Sequence, residues 1–181
     1  MYPSDLTGTY AIDPAHSRFG FTARHAMVTK VRGSIPVHEA TASLDAADPA
    51  ASKVRVVLDV AGIQTGNQTR DDHLRTGDFL DAAAHPYITF ESTDVEHVGG
   101  DTFEVTGELT IRGVTRRVTV SLDHTGTAVD AQGMTRVGFE GGTVINRRDF
   151  GMTYNAVLET GGVMISEKIT LEFDLSAVKT V

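Results

Sequence analysis

Apolar and polar residues alternate with a period of two through most of this chain, and that pattern commits it to half-buried β-strands. Val54, Val56, Leu58 and Val60 alternate with Arg55, Val57, Asp59 and Ala61, and Phe103, Val105, Leu109 and Ile111 alternate with Glu104, Thr106, Glu108 and Thr110. Phe19, Phe21 and Ala23 share one parity against Arg18, Gly20, Thr22 and Arg24. Near the C-terminus Val163, Ile165, Ile169, Leu171, Phe173 and Leu175 form one row, and Glu167 alone breaks its apolar face.

Weaker runs complete the series. They are Gly8 to Asp13, Ser34 to Leu44 with Pro36 marking an edge or a bulge, Tyr87 to Val95, Val118 to Leu122, and Val137 to Ile145. Gly113 reads as a tight hairpin turn, and Gly138, Gly141 and Gly142 as a bulge or a close backbone approach. About eight long strands joined by short turns predict an all-β fold, a single domain over residues 1–181 built as an eight-stranded antiparallel barrel. A barrel of that size either fills with side chains or holds one small ligand.

The segment from Gln64 to Asp81, QTGNQTRDDHLRTGDFLD, breaks the alternation. Thr65, Gly66 and Asn67 are turn formers, Asn67 is placed to cap a short helix from Gln68 to Arg75, and Gly77 stands where a helix would stop. Asp71 and Arg75 are spaced as a helical ion pair, and Leu74, Phe79 and Leu80 are the apolar residues that would seat the insert. The expectation is a plug or gate near one end of the barrel.

Charge and composition remove several function classes. Sixteen Lys and Arg against 24 Asp and Glu give a net charge of −8, which argues against nucleic acid or an anionic membrane surface as the main partner, and no stable membrane insertion is expected. With no cysteine there is neither a disulfide framework nor a thiolate site. The seven histidines include no pair in H-x-H or H-x-x-x-H spacing, so no metal, cofactor or catalytic site is expected. No window approaches a membrane span, and MYPSDLTGTYAID has no signal-like pattern, so the expected location is cytoplasmic.

Four blocks in order, IDPAHSRFGFTARHAMVTKVRGS, TGNQTRDDHLRTGDFLDAAAHPYITFEST, GELTIRGVTRRV and INRRDFG, resemble the YceI family of lipocalin-like, polyisoprenoid-binding proteins. The resemblance spans nearly the whole chain. It implies a lipocalin-like barrel with a helical element near one end and an elongated apolar tunnel for a long-chain amphiphile, isoprenoid, isoprenoid quinone or fatty-acid-like. It also implies pairing as a homodimer. Many family members are periplasmic or secreted, and the N-terminal sequence departs from those.

The ligand-binding candidates fall into two sets. Phe19, Phe21, Phe79, Phe90, Leu109, Ile111, Phe139, Phe150, Ile169 and Leu171 are candidates to line the tunnel, with ordinary core packing as the competing assignment. Arg24, His25, His73, Asn146 and Arg147 are polar candidates. His25 and His73 would approach each other at the barrel mouth, and His73 would otherwise join a structural network with Asp71, Asp72 and Asp78. Adjacent Arg147 and Arg148 could grip a carboxylate or phosphate, or form an exposed turn. Function is therefore expected to be binding, storage or transport of a lipid. The alternative is an enzyme acting on a bound lipophile with His25 or His73 as general base, for which no nucleophile elbow, metal box or phosphate loop is present.

Overall fold

The computed structural model describes residues 6–156 and 164–181. Val163, the first residue expected in the C-terminal strand, lies outside them. Ten strands are present: β1 (Gly8–Ile12), β2 (Arg18–His25), β3 (Thr29–Ser34), β4 (Val37–Leu44), β5 (Lys53–Asp59), β6 (Tyr87–Gly99), β7 (Thr102–Ile111), β8 (Val114–Val129), β9 (Thr135–Asn146) and β10 (Lys168–Lys179). One α-helix, α1, spans Gln68–Leu74.

Every pairing is antiparallel, and the sheet closes because β10 pairs with β9 on one side and with both β1 and β2 on the other. Tyr10 to Ile12 oppose Lys179 to Ala177, while Arg18 to Thr22 oppose Asp174 to Thr170. Strands β1 and β2 are thus two halves of one barrel strand, broken by a 3-10 turn over Pro14–His16 that Asp13 caps. Strands β3 and β4 are likewise halves of one strand, broken at Ile35-Pro36, where the proline cannot donate to a ladder. Counted this way, ten segments make the eight-stranded barrel. Closure leaves no long sheet edge open to pair with another chain.

Turn chemistry joins the strands. Arg112 (φ 52°) and Gly113 (φ 72°) form the two-residue loop between β7 and β8, a left-handed pair of the kind that matches strand twist. A Cβ on Gly107 would collide with the Phe90 ring and the Glu91 carbonyl, so glycine there lets the aromatic ring lie flat across the neighbouring strand.

The C-terminal row departs from simple alternation. Ser166 is buried, its Oγ accepting from the Arg24 amide at 2.9 Å and donating to the Lys168 carbonyl at 3.0 Å. The parity shifts there, so Glu167 turns outward to pair with Arg148 at 3.2 Å instead of breaking the apolar face. From Ile169 onward the row follows the expected parity, and β10 continues to Lys179.

The insert packs as an end plug. Val60, Ile63, Leu80, Phe150 and Met152 are all under 8 % exposed and cluster with Ile88, Ile111 and Ile145 from the barrel wall. Leu74 packs against the same cluster. Asn67 caps α1 through the Arg70 amide, as its sequence position implies, and the helix ends one residue earlier than expected, at Leu74.

Candidate functional site

The barrel encloses two cavities, and the residues that border them are almost all hydrocarbon. One lobe, a cavity of about 130 Å³, is walled by Phe21, Leu58, Phe90, Leu109, Ile111, Val118, Leu171 and Phe173, among others. A second, of about 100 Å³, is walled by Tyr10, Ala40, Leu44, Phe103, Val137, Phe139 and Ala177, among others. The two share Phe19, Val54, Val56, Val105, Leu122 and Leu175, so they lie next to each other in succession inside the barrel.

Exposure gives the same result independently. Val54, Val56, Leu58, Leu122, Leu171, Phe173 and Leu175 point inward yet are only half-buried. In a barrel filled by its own side chains these rows would touch neighbours on all sides and lose nearly all accessible surface. Their remaining surface faces the tunnel. The polar groups in the second compartment are internally satisfied: the Tyr10 hydroxyl donates to the Leu6 carbonyl at 3.0 Å, and Ser52 Oγ accepts from the Asp45 amide at 2.9 Å.

Of the tunnel candidates, Phe19, Phe21, Phe90, Leu109, Ile111 and Leu171 border the first compartment, and Phe19 and Phe139 the second. Phe79, Phe150 and Ile169 stand elsewhere. Phe150, 1 % exposed, and Ile169 belong to the plug cluster. Phe79 packs edge-on against the rings of His73 at 5.0 Å and Tyr154 at 5.3 Å, and His73 meets Tyr154 at 5.0 Å, so the three close an aromatic triangle. Alternation along a strand finds a tunnel wall. It cannot identify residues such as Ile35, which lies in the break between β3 and β4 and still borders the tunnel.

Of the polar candidates, His73, Asn146 and Arg147 are occupied by the scaffold, whereas Arg24 is exposed on the outer face of β2. His73 Nε2 is 2.8 Å from an Asp78 oxygen. Asp71 is buried and accepts from the Thr65 amide at 2.9 Å, while Arg75 pairs with Asp72 at 3.0 Å and not with Asp71 as the four-residue spacing suggested. The reason is that Arg75 turns under the helix to donate to the carbonyls of Ala61 at 2.7 Å and Ile63 at 3.0 Å, leaving Asp71 to cap the preceding turn. Arg70, Asp71 and Arg75 therefore anchor backbone, while Asp72 and Asp78 pair with the Arg75 and His73 side chains. His25 ends β2, bridged to Ile165, so His25 and His73 have different neighbours.

Asn146 caps the 3-10 turn Arg147–Phe150, its side-chain oxygen accepting from the Arg148 amide at 2.9 Å. The exposed-turn expectation describes Arg148 and fails for Arg147, which is 3 % exposed. Its guanidinium donates to the carbonyls of Ser166 at 2.9 Å, Met152 at 2.7 Å and Tyr154 at 2.8 Å. Burial lowers its pKa below the usual arginine range, with nearby Glu167 opposing and Arg148 reinforcing that direction. Among the described residues, no three of His, Asp and Glu gather into a group that could hold a metal ion. No described helix is long and apolar enough to cross a membrane.

Comparison with known proteins follows this architecture. The UPF0312 protein of Azotobacter vinelandii is 40% identical over 149 residues, covering 81% of this chain and 78% of that protein. The crystal structure of BcnA from Burkholderia cenocepacia superposes with a TM-score of 0.79 at 25% identity, covering 91% of this chain and 98% of that one. The YCEI protein of Campylobacter jejuni gives a TM-score of 0.72 at 28% identity, with 87% and 90% covered. The model of the YceI-like domain matches residues 10–177, and with the barrel, its end plug and its tunnel already described, this chain belongs to that family.

Proposed function

We infer that the protein binds one long-chain amphiphilic lipid, of isoprenoid, isoprenoid-quinone or fatty-acid type, in the tunnel and stores or transports it. The observation that carries this is the succession of two compartments that share six wall residues behind a half-exposed apolar lining. An unoccupied hydrocarbon surface of this kind favours a flexible apolar chain, at roughly 0.8 kcal/mol for each methylene withdrawn from water. Elongation favours a chain over a compact fused-ring molecule. The absence of polar groups from the first compartment favours selection by length and width over selection by hydrogen bonding.

Organic extraction of the purified protein followed by mass spectrometry tests this directly. A stoichiometric lipid with a long hydrocarbon portion is the expected result. A protein that neither carries such a lipid nor takes one up from detergent solution would overturn the reading. Pairing of two copies and a cytoplasmic location belong to the same proposal. The support for pairing is the family resemblance, and sizing chromatography tests it; cell fractionation tests the location.

A further inference from the structure

The end of the barrel formed by the β2–β3 hairpin differs in charge from everything else in the chain. Residues 14–38 hold four of the 16 Lys and Arg and none of the 24 Asp and Glu. Alternation from Phe21, which borders the tunnel, turns Thr22 and Arg24 to the outside. The cross-strand partners of those two residues are Arg32 and Lys30, so Arg24, Lys30 and Arg32 share the outer face. All three are exposed, and Lys168, at the start of β10, is exposed beside them.

Among the described residues, carboxylates do not answer these cations. Glu167 is engaged by Arg148 at 3.2 Å, and Glu172 stands lower on the barrel, opposite Gly20, where it accepts from Thr22 at 3.1 Å. Among the described ion pairs, none involves Arg24, Lys30, Arg32 or Lys168.

The tip between the strands is apolar. His25 pairs with Thr29, and the three residues between them are Ala26, Met27 and Val28. Met27 is 57 % exposed and Val28 75 %. Ala26 (φ 51°) and Met27 (φ 60°) both occupy the left-handed region, where a side chain costs energy and glycine or asparagine is the usual occupant. A strained turn that presents methionine and valine to solvent, inside a collar of unpaired cations, matches the two requirements of an interfacial anchor. Those requirements are hydrocarbon to enter the acyl boundary and positive charge to meet lipid phosphates.

We propose that the β2–β3 hairpin docks this protein on anionic lipid bilayers, with Met27 and Val28 entering the headgroup boundary and Arg24, Lys30, Arg32 and Lys168 contacting phosphates. With a net charge of −8, the rest of the molecule is repelled by such a surface, so docking selects the orientation that presents this end. Phe21 lies on the same strand four residues from His25, so the tunnel wall stands roughly 13 Å from the base of the turn. The docked barrel therefore holds its cavity close to the membrane that would supply or receive the cargo. That purpose rests on the carrier reading; the docking itself does not need an occupied tunnel.

Flotation with phosphatidylcholine vesicles, with and without phosphatidylglycerol, tests the proposal at low ionic strength. The expected result is association only with the phosphatidylglycerol vesicles, reversed as salt shortens the Debye length. The Lys30→Gln/Arg32→Gln variant is expected to bind roughly twentyfold more weakly, about fivefold for each cation removed. Val28→Asp is expected to lose binding as well. Uptake of a dansyl-labelled fatty acid in vesicle-free solution should stay at the wild-type level in both variants, which shows that they are folded.

Wild-type protein that ignores anionic vesicles at low salt, or a double variant that binds them as tightly as wild type, overturns the proposal. Variants that change the sedimentation coefficient instead of vesicle binding would make the hairpin a self-association surface, which also overturns it. Failure of the carrier reading is read separately, as absent dansyl-lipid uptake with vesicle binding intact.

Discussion

Arg147 Nε donates to the Ser166 carbonyl at 2.9 Å from a position only 3 % exposed, and among the described residues no carboxylate forms an ion pair with its guanidinium. Its other donors reach Met152 and Tyr154, so one side chain joins the 3-10 turn after β9 to the segments that precede β10. A buried charge satisfied only by carbonyls is costly to desolvate, and its planar fork matches several acceptors at once. Arg147→Met removes the donors and leaves those carbonyls unpaired in the plug. The expected loss is about 3 kcal/mol or more in denaturant unfolding. Arg147→Lys should recover only part of it, because one ammonium cannot span the same set of acceptors.

Arg136 provides the second long-range tie. Its guanidinium lies 2.6 Å from Asp13 and 2.7 Å from Asp130, binding the β1–β2 break to the β8–β9 hairpin. The hydrogen bond from Arg136, followed by that from His16, lowers the Asp13 pKa from 3.8 to about 2. A carboxyl whose folded pKa is depressed contributes stability above its unfolded value and loses that contribution as pH falls through the folded one. The tie is therefore complete above about pH 4 and lost on approach to pH 2. Asp13→Asn should flatten the fall in urea midpoint over that window and lower the midpoint at neutral pH.

The barrel was legible because strand periodicity is set locally by which residues face the core. The row Leu171, Phe173, Leu175 and the hairpin at Gly113 both appear where alternation and turn chemistry put them. Two features were not legible. The strand β3 was missed because Thr29–Ser34 is polar on its outer face and carries glycine on its inner one, where the Phe21 ring covers Gly33. No apolar side chain marks that position. The role of Arg147 was hidden for a different reason: two adjacent arginines look alike in sequence, and only the tertiary fold turns one inward and leaves its neighbour to Glu167. Similarly, the density of Arg, Asp and His in the insert suggested chemistry, whereas Arg70 and Arg75 are occupied by the backbone of Thr65, Ala61 and Ile63.

The aromatic triangle bears on the catalytic alternative. His73 reaches Asp78, Phe79 and Tyr154, and it does not border either compartment. His73→Ala is expected to lower stability by about 1 kcal/mol through the lost ring contacts. Lipid content after purification should be unchanged. A bound lipid that accumulates unaltered in the variant, but is converted to product by the wild type, would instead support a general-base role.

Gly107 is expected to control the width of the first compartment. A Cβ added there meets both the Phe90 ring, which can swing, and the Glu91 carbonyl, which cannot move without disturbing the β6–β7 ladder. Gly107→Ala should destabilise by about 1–3 kcal/mol, the usual cost of overpacking. It should also drive the Phe90 ring into the tunnel. The measurable consequence is a lower capacity for branched isoprenoid chains, relative to straight acyl chains, in a competition extract.

The shared wall between compartments gives the sharpest test of a continuous tunnel. Val56 and Leu122 border both compartments from β5 and β8, and both are half-buried. Val56→Trp places a large apolar ring in space that is empty, so the usual penalty for overpacking is reduced and thermal stability should change little. The ring would divide one long cavity into two short ones. A ligand that threads both compartments should lose affinity by more than tenfold, while one short enough for a single compartment should keep most of its affinity. The discriminating measurement is a chain-length series: wild type should gain affinity with each added methylene until the tunnel is filled, and Val56→Trp should stop gaining at a shorter chain. A series in which both proteins level off at the same length would mean that the cargo occupies one compartment and never passes between Val56 and Leu122.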